Sequence, residues 1–254
     1  MPPSQSRLPW LAPGAPFPQP EQAWGASDPA PGLLAGGGAL DVESLTRAYS
    51  QGIFPWFSDD QPILWWSPDP RMVLQVDEFK LHRSLRKTLG RFQHDARCEI
   101  HIDSAFPQVI RACSTSSRPS QSGTWIVPDM VQAYEALHGA GFAHSVETWV
   151  NGQLTGGLYC VALGKAVFGE SMFTRAPDAS KIALAALVCF CRYNGINLID
   201  CQQNTGHLAS LGAREISRAS FVNQVAHNSA LPAPRWQFEH VYWHEFLPAK
   251  IVPT

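Results

Sequence analysis

Two stretches that otherwise read as buried strands carry side chains able to do chemistry. Leu198-Ile199-Asp200-Cys201-Gln202 is apolar up to Ile199, then turns polar. A carboxylate and an amide stand at i and i+2, which on a regular strand puts both on one face. Upstream, Phe168-Gly169-Glu170-Ser171-Met172-Phe173 carries a second acid inside an apolar run. Two acids and an amide in such surroundings are costly to bury without a role. A strand end is a usual site for chemistry, because the strand holds the side chains rigidly while the loop beyond admits a substrate. The plainer alternative has Asp200 capping the segment that follows it.

The elements that would position these residues form a meander followed by a crossover. A strand over His144 to Val150 meets Asn151-Gly152, a strong hairpin signal, and Gln153 to Val161 returns. Gly164 turns the chain into Ala166 to Phe173. A long helix over Ala179 to Tyr193 ends at Gly195 and leads to the 198–202 strand. A loop or short helix over Asn204 to Gly212 and a helix from about Arg218 to His227 follow. Three antiparallel strands, a helix and a further strand make an α+β unit.

Upstream of the meander, nine of the 21 prolines fall between Met1 and Pro31, which reads as an extended, mobile surface leader. Gly32 to Gly38 reads as a glycine-rich turn and lacks the lysine and Ser/Thr of a phosphate-binding loop. Asp41 starts a helix that ends at Gly52. From Ile53 to Arg71, four prolines and three tryptophans predict extended chain; the tryptophans either pack beneath it or form a platform for a flat ligand. Arg71 to Val76 reads as a strand. Lys80 to Gly90 reads as a helix with a cationic stripe of Lys80, Arg83, Arg86 and Lys87, extended by Arg91. Cys98 to Ile102 is a strand, Asp103 caps a helix to about Ala112, and a loop over Gly123 to Ile126 leads to a helix over Pro128 to His138.

Composition narrows the function. With 45% hydrophobic residues the chain buries a sizeable core, and a net charge of −2 means that nucleic-acid binding would need a local basic patch. The six cysteines lack a CxxC or a secreted spacing and read as reduced thiols. No apolar run is long enough to span a membrane, and the leader does not read as a signal peptide.

The order of several motifs resembles the leucyl/phenylalanyl-tRNA–protein transferases of bacteria. They are Ala48-Tyr49 with Gly52-Ile53-Phe54-Pro55-Trp56-Phe57; Leu64-Trp65-Trp66-Ser67-Pro68-Asp69-Pro70-Arg71; Gly123-Thr124-Trp125-Ile126; Ala143-His144-Ser145-Val146-Glu147; Gly169-Glu170-Ser171-Met172-Phe173; Leu198-Ile199-Asp200-Cys201-Gln202; and Ser210-Leu211-Gly212-Ala213. The resemblance runs from about Gly32 to Val225. Cys160, Ser217, Leu187 and Cys191 depart from the family pattern.

The resemblance implies a small N-terminal α/β domain over 32–76 and a catalytic domain of the acyl-CoA N-acyltransferase type over 77–230; the proline-rich leader over 1–31 and a C-terminal tail over 231–254 lie outside it. It implies transfer of Leu or Phe, with Met as a further candidate, from aminoacyl-tRNA to an N-terminal Arg or Lys of an acceptor protein. It further implies that the transfer marks the acceptor protein for degradation. A cytoplasmic monomer is expected, with no metal or organic cofactor and no membrane partner.

The reaction is aminolysis of an ester, which needs an aligned, unprotonated amine and stabilisation of an oxyanion. Asp200 is then the candidate to take the amine's proton, with Gln202 orienting it or relaying the proton. Glu170 holds the adenosine end or meets the acceptor's cationic side chain. Trp56 and Trp125 stack on the 3′ adenosine, with Gly169 and Glu170 beside it; plain packing is their alternative. Leu158, Leu184, Leu187 and Ile199 line the aminoacyl side-chain pocket or ordinary core. Lys80, Arg83, Arg86 and Lys87 meet the tRNA backbone. Two other classes compete. A serine hydrolase using Ser171, His207 and Asp200 fails the G-x-S-x-G pattern. A CoA-dependent N-acetyltransferase rests on fold analogy alone, because His207-Leu208 does not complete a pyrophosphate loop.

Overall fold

The computed structural model describes residues 8–116 and 126–247. The elements in chain order are β1 Trp10–Leu11, β2 Leu33–Gly37, α1 Val42–Ser50, β3 Phe54–Pro55, β4 Leu64–Trp66, β5 Arg71–Gln75, α2 Arg83–His94, β6 Cys98–Ile102, α3 Phe106–Ser114, α4 Pro128–Gly139, β7 Ala143–Val150, β8 Gln153–Leu163, β9 Ala166–Thr174, α5 Ala179–Tyr193, β10 Leu198–Gln202, α6 Gly206–Ser210, β11 Arg214–Ile216 and α7 Arg218–Ser229. They form a four-stranded sheet ordered β1-β2-β4-β3 and a seven-stranded sheet ordered β11-β5-β10-β9-β8-β7-β6.

Local chemistry accounts for the β7–β9 meander. Asn151 and Gly152 take φ of 52° and 71°, the left-handed pair that a two-residue hairpin requires, and β7 and β8 pair antiparallel across it. The larger sheet is antiparallel except where β10 lies parallel to β9. That join needs a crossover, and α5 supplies it. The molecule is thus α+β with a mainly antiparallel sheet flanked by helices.

Strand alternation sorts the core into two layers. Along β8, Leu158, Cys160 and Ala162 join one apolar cluster, while Tyr159, Val161 and Leu163 join the other. The first cluster is covered by α5, α2 and the aromatic segment His240–Glu245, where Tyr242 and Trp243 are buried. The second is covered by α1, α3, α4, α7 and the small sheet.

Several expectations are revised. Residues 8–31 are not a loose leader: β1 pairs with β2, Phe17 packs edge-on to Trp65 at 4.7 Å, and Arg47 reaches the Ala15 carbonyl at 3.1 Å. Proline sets an extended backbone without preventing its aromatic neighbours from inserting. The glycine-rich segment is a strand rather than a turn, because the missing Cβ atoms of Gly36 and Gly37 admit the Trp10 ring. β5 pairs with β10 and β11, so it belongs with the larger sheet rather than with the small N-terminal unit.

The basic helix begins at Arg83, leaving Lys80 on the approach to it, with its N–H donating to the Leu211 carbonyl at 2.8 Å. Asp103 does not cap α3. It stands at φ 60°, accepting from Ser145 N–H and meeting His144. Glu147, reaching across from β7, takes the Ser104 hydroxyl and the Ala105 N–H at that helix start.

Candidate active site

The acids sit where the strands lose their regular register. On β9, Ser171 faces Tyr159 and Gly169 faces Cys160, leaving Glu170 as the extra residue of a bulge. Gly169 lets β9 press against β10, since a Cβ there would lie 3.2 Å from the Asp200 carbonyl oxygen. On β10, Asp200 faces Val73 and Gln202 faces Met72, so Cys201 is extra and Gln202 adopts φ 61°. A bulge re-aims side chains, and here it separates two that strict alternation would keep together. Asp200 turns to Arg71, while the Gln202 side-chain amide donates to Glu170 Oε1 at 2.9 Å.

Glu170 is buried among neutral donors. Tyr49, from α1, donates to Oε1 at 2.8 Å, and Tyr134, from α4, approaches Oε2 at 3.3 Å. The two phenol oxygens lie 2.5 Å apart. Burial raises the carboxyl to about 7; the Tyr49 and Gln202 bonds pull it down, nearby Asp200 pushes it up, and Tyr134 again lowers it. Burial also raises both phenols well above their ordinary value, so they remain protonated donors. Proton counting points the same way. Three oxygen–oxygen contacts join Tyr49, Tyr134 and Glu170, and two phenols supply two protons. The third contact becomes a hydrogen bond only when the carboxyl itself carries a proton.

Asp200 has a different setting. Arg71 Nε donates to Oδ1 at 2.8 Å and Nη2 to Oδ2 at 2.6 Å, with side chains 0% and 1% exposed. The Gln202 backbone N–H adds a third bond to Oδ1 at 2.9 Å. Arg71 Nη1 reaches the Gly52 carbonyl at 3.1 Å, and its guanidinium lies over the rings of Phe54 and Phe221 at 4.7 and 4.4 Å. A carboxylate so held has little capacity left for an incoming amine. Among the described residues its hydrogen-bond and ion-pair partners include no histidine, so the geometry of a hydrolytic triad is not formed there.

The remaining candidates are placed as follows. Trp56 is half-buried, edge-on to Trp66 at 5.3 Å. Trp125 lies outside the described residues. Leu158, Leu184, Leu187 and Ile199 gather in the α5 cluster, bordered by partly buried Met172 and Cys201. On α2, Leu85, Leu89 and Phe92 face the core, while Arg83, Arg86, Lys87 and Arg91 are exposed. Arg86 also holds the Phe246 carbonyl at 2.7 Å. A cleft of about 380 Å³ is lined by Leu40, Ile63, Asp129, Gln132 and Ala133, and neither acid is among its lining residues.

Sequence reasoning assigned no site role to Tyr49, Tyr134 and Arg71. Arg71 carried a signal: a cation opening the apolar run Arg71-Met72-Val73-Leu74 needs a buried partner, and Asp200 stands in another apolar run. The tyrosines carried none, since each fits a core position of its helix.

Known proteins share this chain's sequence over most of its length. Residues 73–226 match the family described as leucyl/phenylalanyl-tRNA protein transferase, and residues 38–69 match its N-terminal domain. A leucyl/phenylalanyl-tRNA–protein transferase from Polaromonas sp. is 66% identical over 96% of this chain and 95% of its own. One from Albidiferax ferrireducens is 63% identical over 97% of each. Among solved structures, a GCN5-related N-acetyltransferase from Kribbella flavida overlaps 66% of this chain and 58% of its own at 12% identity and a TM-score of 0.33, too slight a likeness to argue from. With its sequence matched to the family on both sides of the Arg71–Asp200 joint, the chain belongs to the leucyl/phenylalanyl-tRNA protein transferase family and is an aminoacyltransferase.

Proposed function

We propose that this enzyme transfers Leu or Phe, with Met as a third donor, from aminoacyl-tRNA to the N-terminal Arg or Lys of an acceptor protein. We place it in the cytoplasm, acting as a monomer that marks acceptors for degradation. The observation that carries the chemistry is Glu170, a buried carboxyl raised to about 7 and aimed by Tyr49, Tyr134 and Gln202. A protein α-ammonium group titrates at about 7.7–8.0. Proton transfer between the two is therefore nearly balanced, which suits a general base working near neutral pH.

Glu170 takes a proton from the acceptor's α-ammonium group. The free amine attacks the ester carbonyl, giving a tetrahedral intermediate. Collapse forms the amide, breaks the bond to the ribose 3′ oxygen and sends a proton to that leaving oxygen. Gln202 keeps the carboxylate aimed. This reading gives Glu170 the proton-accepting role expected of Asp200, whose oxygens are engaged by Arg71.

Trp56 and Trp125 stack on the terminal adenosine, and Gly169 lies beside that base. Leu158, Leu184, Leu187 and Ile199 receive the Leu or Phe side chain. Lys80, Arg83, Arg86 and Lys87 neutralise acceptor-stem phosphates.

The test is transfer of labelled Leu, Phe and Met from charged tRNA onto peptides beginning with Arg, Lys or Ala. Transfer to the first two and not the third is expected. Absence of transfer from any donor would defeat the reading, and equal transfer to the Ala peptide would remove the basic-acceptor part.

A further inference from the structure

A buried Arg–Asp pair is a weak means of stabilising a fold, because removing both charges from water offsets much of their attraction. The Arg71–Asp200 pair is wholly buried, and its position suggests another use. Asp200 Oδ1 accepts two bonds at once, from Arg71 Nε and from the Gln202 backbone N–H. Gln202 stands at φ 61°, a left-handed conformation that a residue with a side chain adopts at a cost. In that conformation its side-chain amide reaches Glu170 at 2.9 Å.

We infer that Arg71 is a positioning residue: it fixes the Asp200 carboxylate, which holds the Gln202 backbone left-handed and so aims the Gln202 amide at Glu170. This rests on the proposed roles of Glu170 and Gln202 in the transfer reaction. It assigns Asp200 a geometric task with no proton transfer. The Arg71 side chain is itself fixed from several elements. The Gly52 carbonyl after α1 takes Nη1, the guanidinium lies over the rings of Phe54 of β3 and Phe221 of α7, and Asp200 takes Nε and Nη2. A guanidinium matches this arrangement, because its planar fork meets a carboxylate with two donors while its faces lie against rings. A lysine ammonium would keep the charge and lose the two-point grip.

The chain of contacts predicts a coupling that a purely structural ion pair would not produce. If Arg71 acts through the Gln202 amide, removing that amide should make further change at Arg71 silent in the chemical step. Single-turnover transfer rates from saturating aminoacyl-tRNA would be measured for R71K, Q202A and R71K/Q202A, with melting temperatures alongside. We expect R71K and Q202A each to slow the step by about tenfold or more, and the double variant to be no slower than Q202A alone. Full multiplication of the two losses would overturn the inference. A wild-type rate in Q202A would instead sink the proposed role of Gln202, and the inference with it.

If R71K does not fold, D200N serves in the same cycle, because an amide oxygen still accepts the Gln202 N–H while the two-point grip on Arg71 is lost. Under the inference D200N retains the inflection of its pH–rate profile, since Glu170 is the titrating group. Loss of that inflection in folded D200N would show Asp200 transferring the proton and overturn the geometric assignment.

Discussion

Asp200 and Glu170 are buried acids on adjacent, parallel strands, yet their surroundings differ in kind. Asp200 meets a full cation through two charge-assisted bonds, with that cation fixed by a carbonyl and two rings. Glu170 meets two phenols and an amide, all neutral. A fixed guanidinium makes a carboxylate part of the scaffold. Neutral donors only partly offset the loss of water, so Glu170 is left near neutrality, able to take and release a proton. Burial is common to both carboxyls; the charge state of their partners is what distinguishes them.

The largest expected effect comes from breaking the scaffold side. Asp200→Ala leaves the Arg71 charge buried and unpaired, which should cost about 3–5 kcal/mol of stability, read by denaturant unfolding. A loss below about 1 kcal/mol would mean that water reaches the guanidinium and that the two acids are less different than their partners imply.

Glu170→Gln should act the other way round, removing activity while sparing the fold. The transfer rate should fall by about 10² or more, the contribution of a general base. Stability should rise at alkaline pH. The folded carboxyl titrates at about 7, above its ordinary value of 4.5, so between those values the native state keeps a proton that the unfolded chain has lost. Stability of the parent protein therefore falls as pH rises through that window and levels off above it. The Gln variant should lack this slope and be more stable at pH 8 by about 3 kcal/mol. Parallel stability curves for the two proteins would contradict the raised value.

Tyr49→Phe tunes the comparison more gently. It removes a donor that holds the Glu170 value down, so the inflection of the pH–rate profile should move to higher pH by about half a unit to one unit. Tyr134→Phe should move it less, because its contact is longer at 3.3 Å. An inflection unmoved by either would place the titrating group elsewhere.

The smallest effect belongs to the exposed cations of α2. Arg83→Ala or Lys87→Ala should flatten the logarithmic salt dependence of aminoacyl-tRNA binding by about 1 and leave a minimal aminoacyl-adenosine donor almost untouched. Equal losses for both donors would make the stripe simple surface. Arg86 is a poorer probe, since it also holds the Phe246 carbonyl.

Much of the fold was legible because its signals are local. Asn151-Gly152 specifies a turn through its own φ values, and the apolar run of α5 ends at Gly195, whose φ of 65° closes the helix. Errors arose where packing overrode local character. The 32–38 glycines read as a turn until the Trp10 ring needed the room, and Asp103 read as a cap until Glu147 arrived from another strand to take the Ala105 N–H.

For the site, residue types alone marked Asp200, Gln202 and Glu170 as unusual, because acids and amides interrupting apolar strands are visible in a linear string. Their division of labour was not. Asp200 meets Arg71 across 129 positions, and Glu170 meets Tyr49 across 121. Two bulges, each a single unpaired residue, turn Gln202 toward one acid and leave the other to the guanidinium. An amino-acid string determines which groups are present and which local conformations they favour. Which groups are buried together, and which carboxylate therefore meets a cation and which meets neutral donors, was decided by strand register and the packing of distant helices.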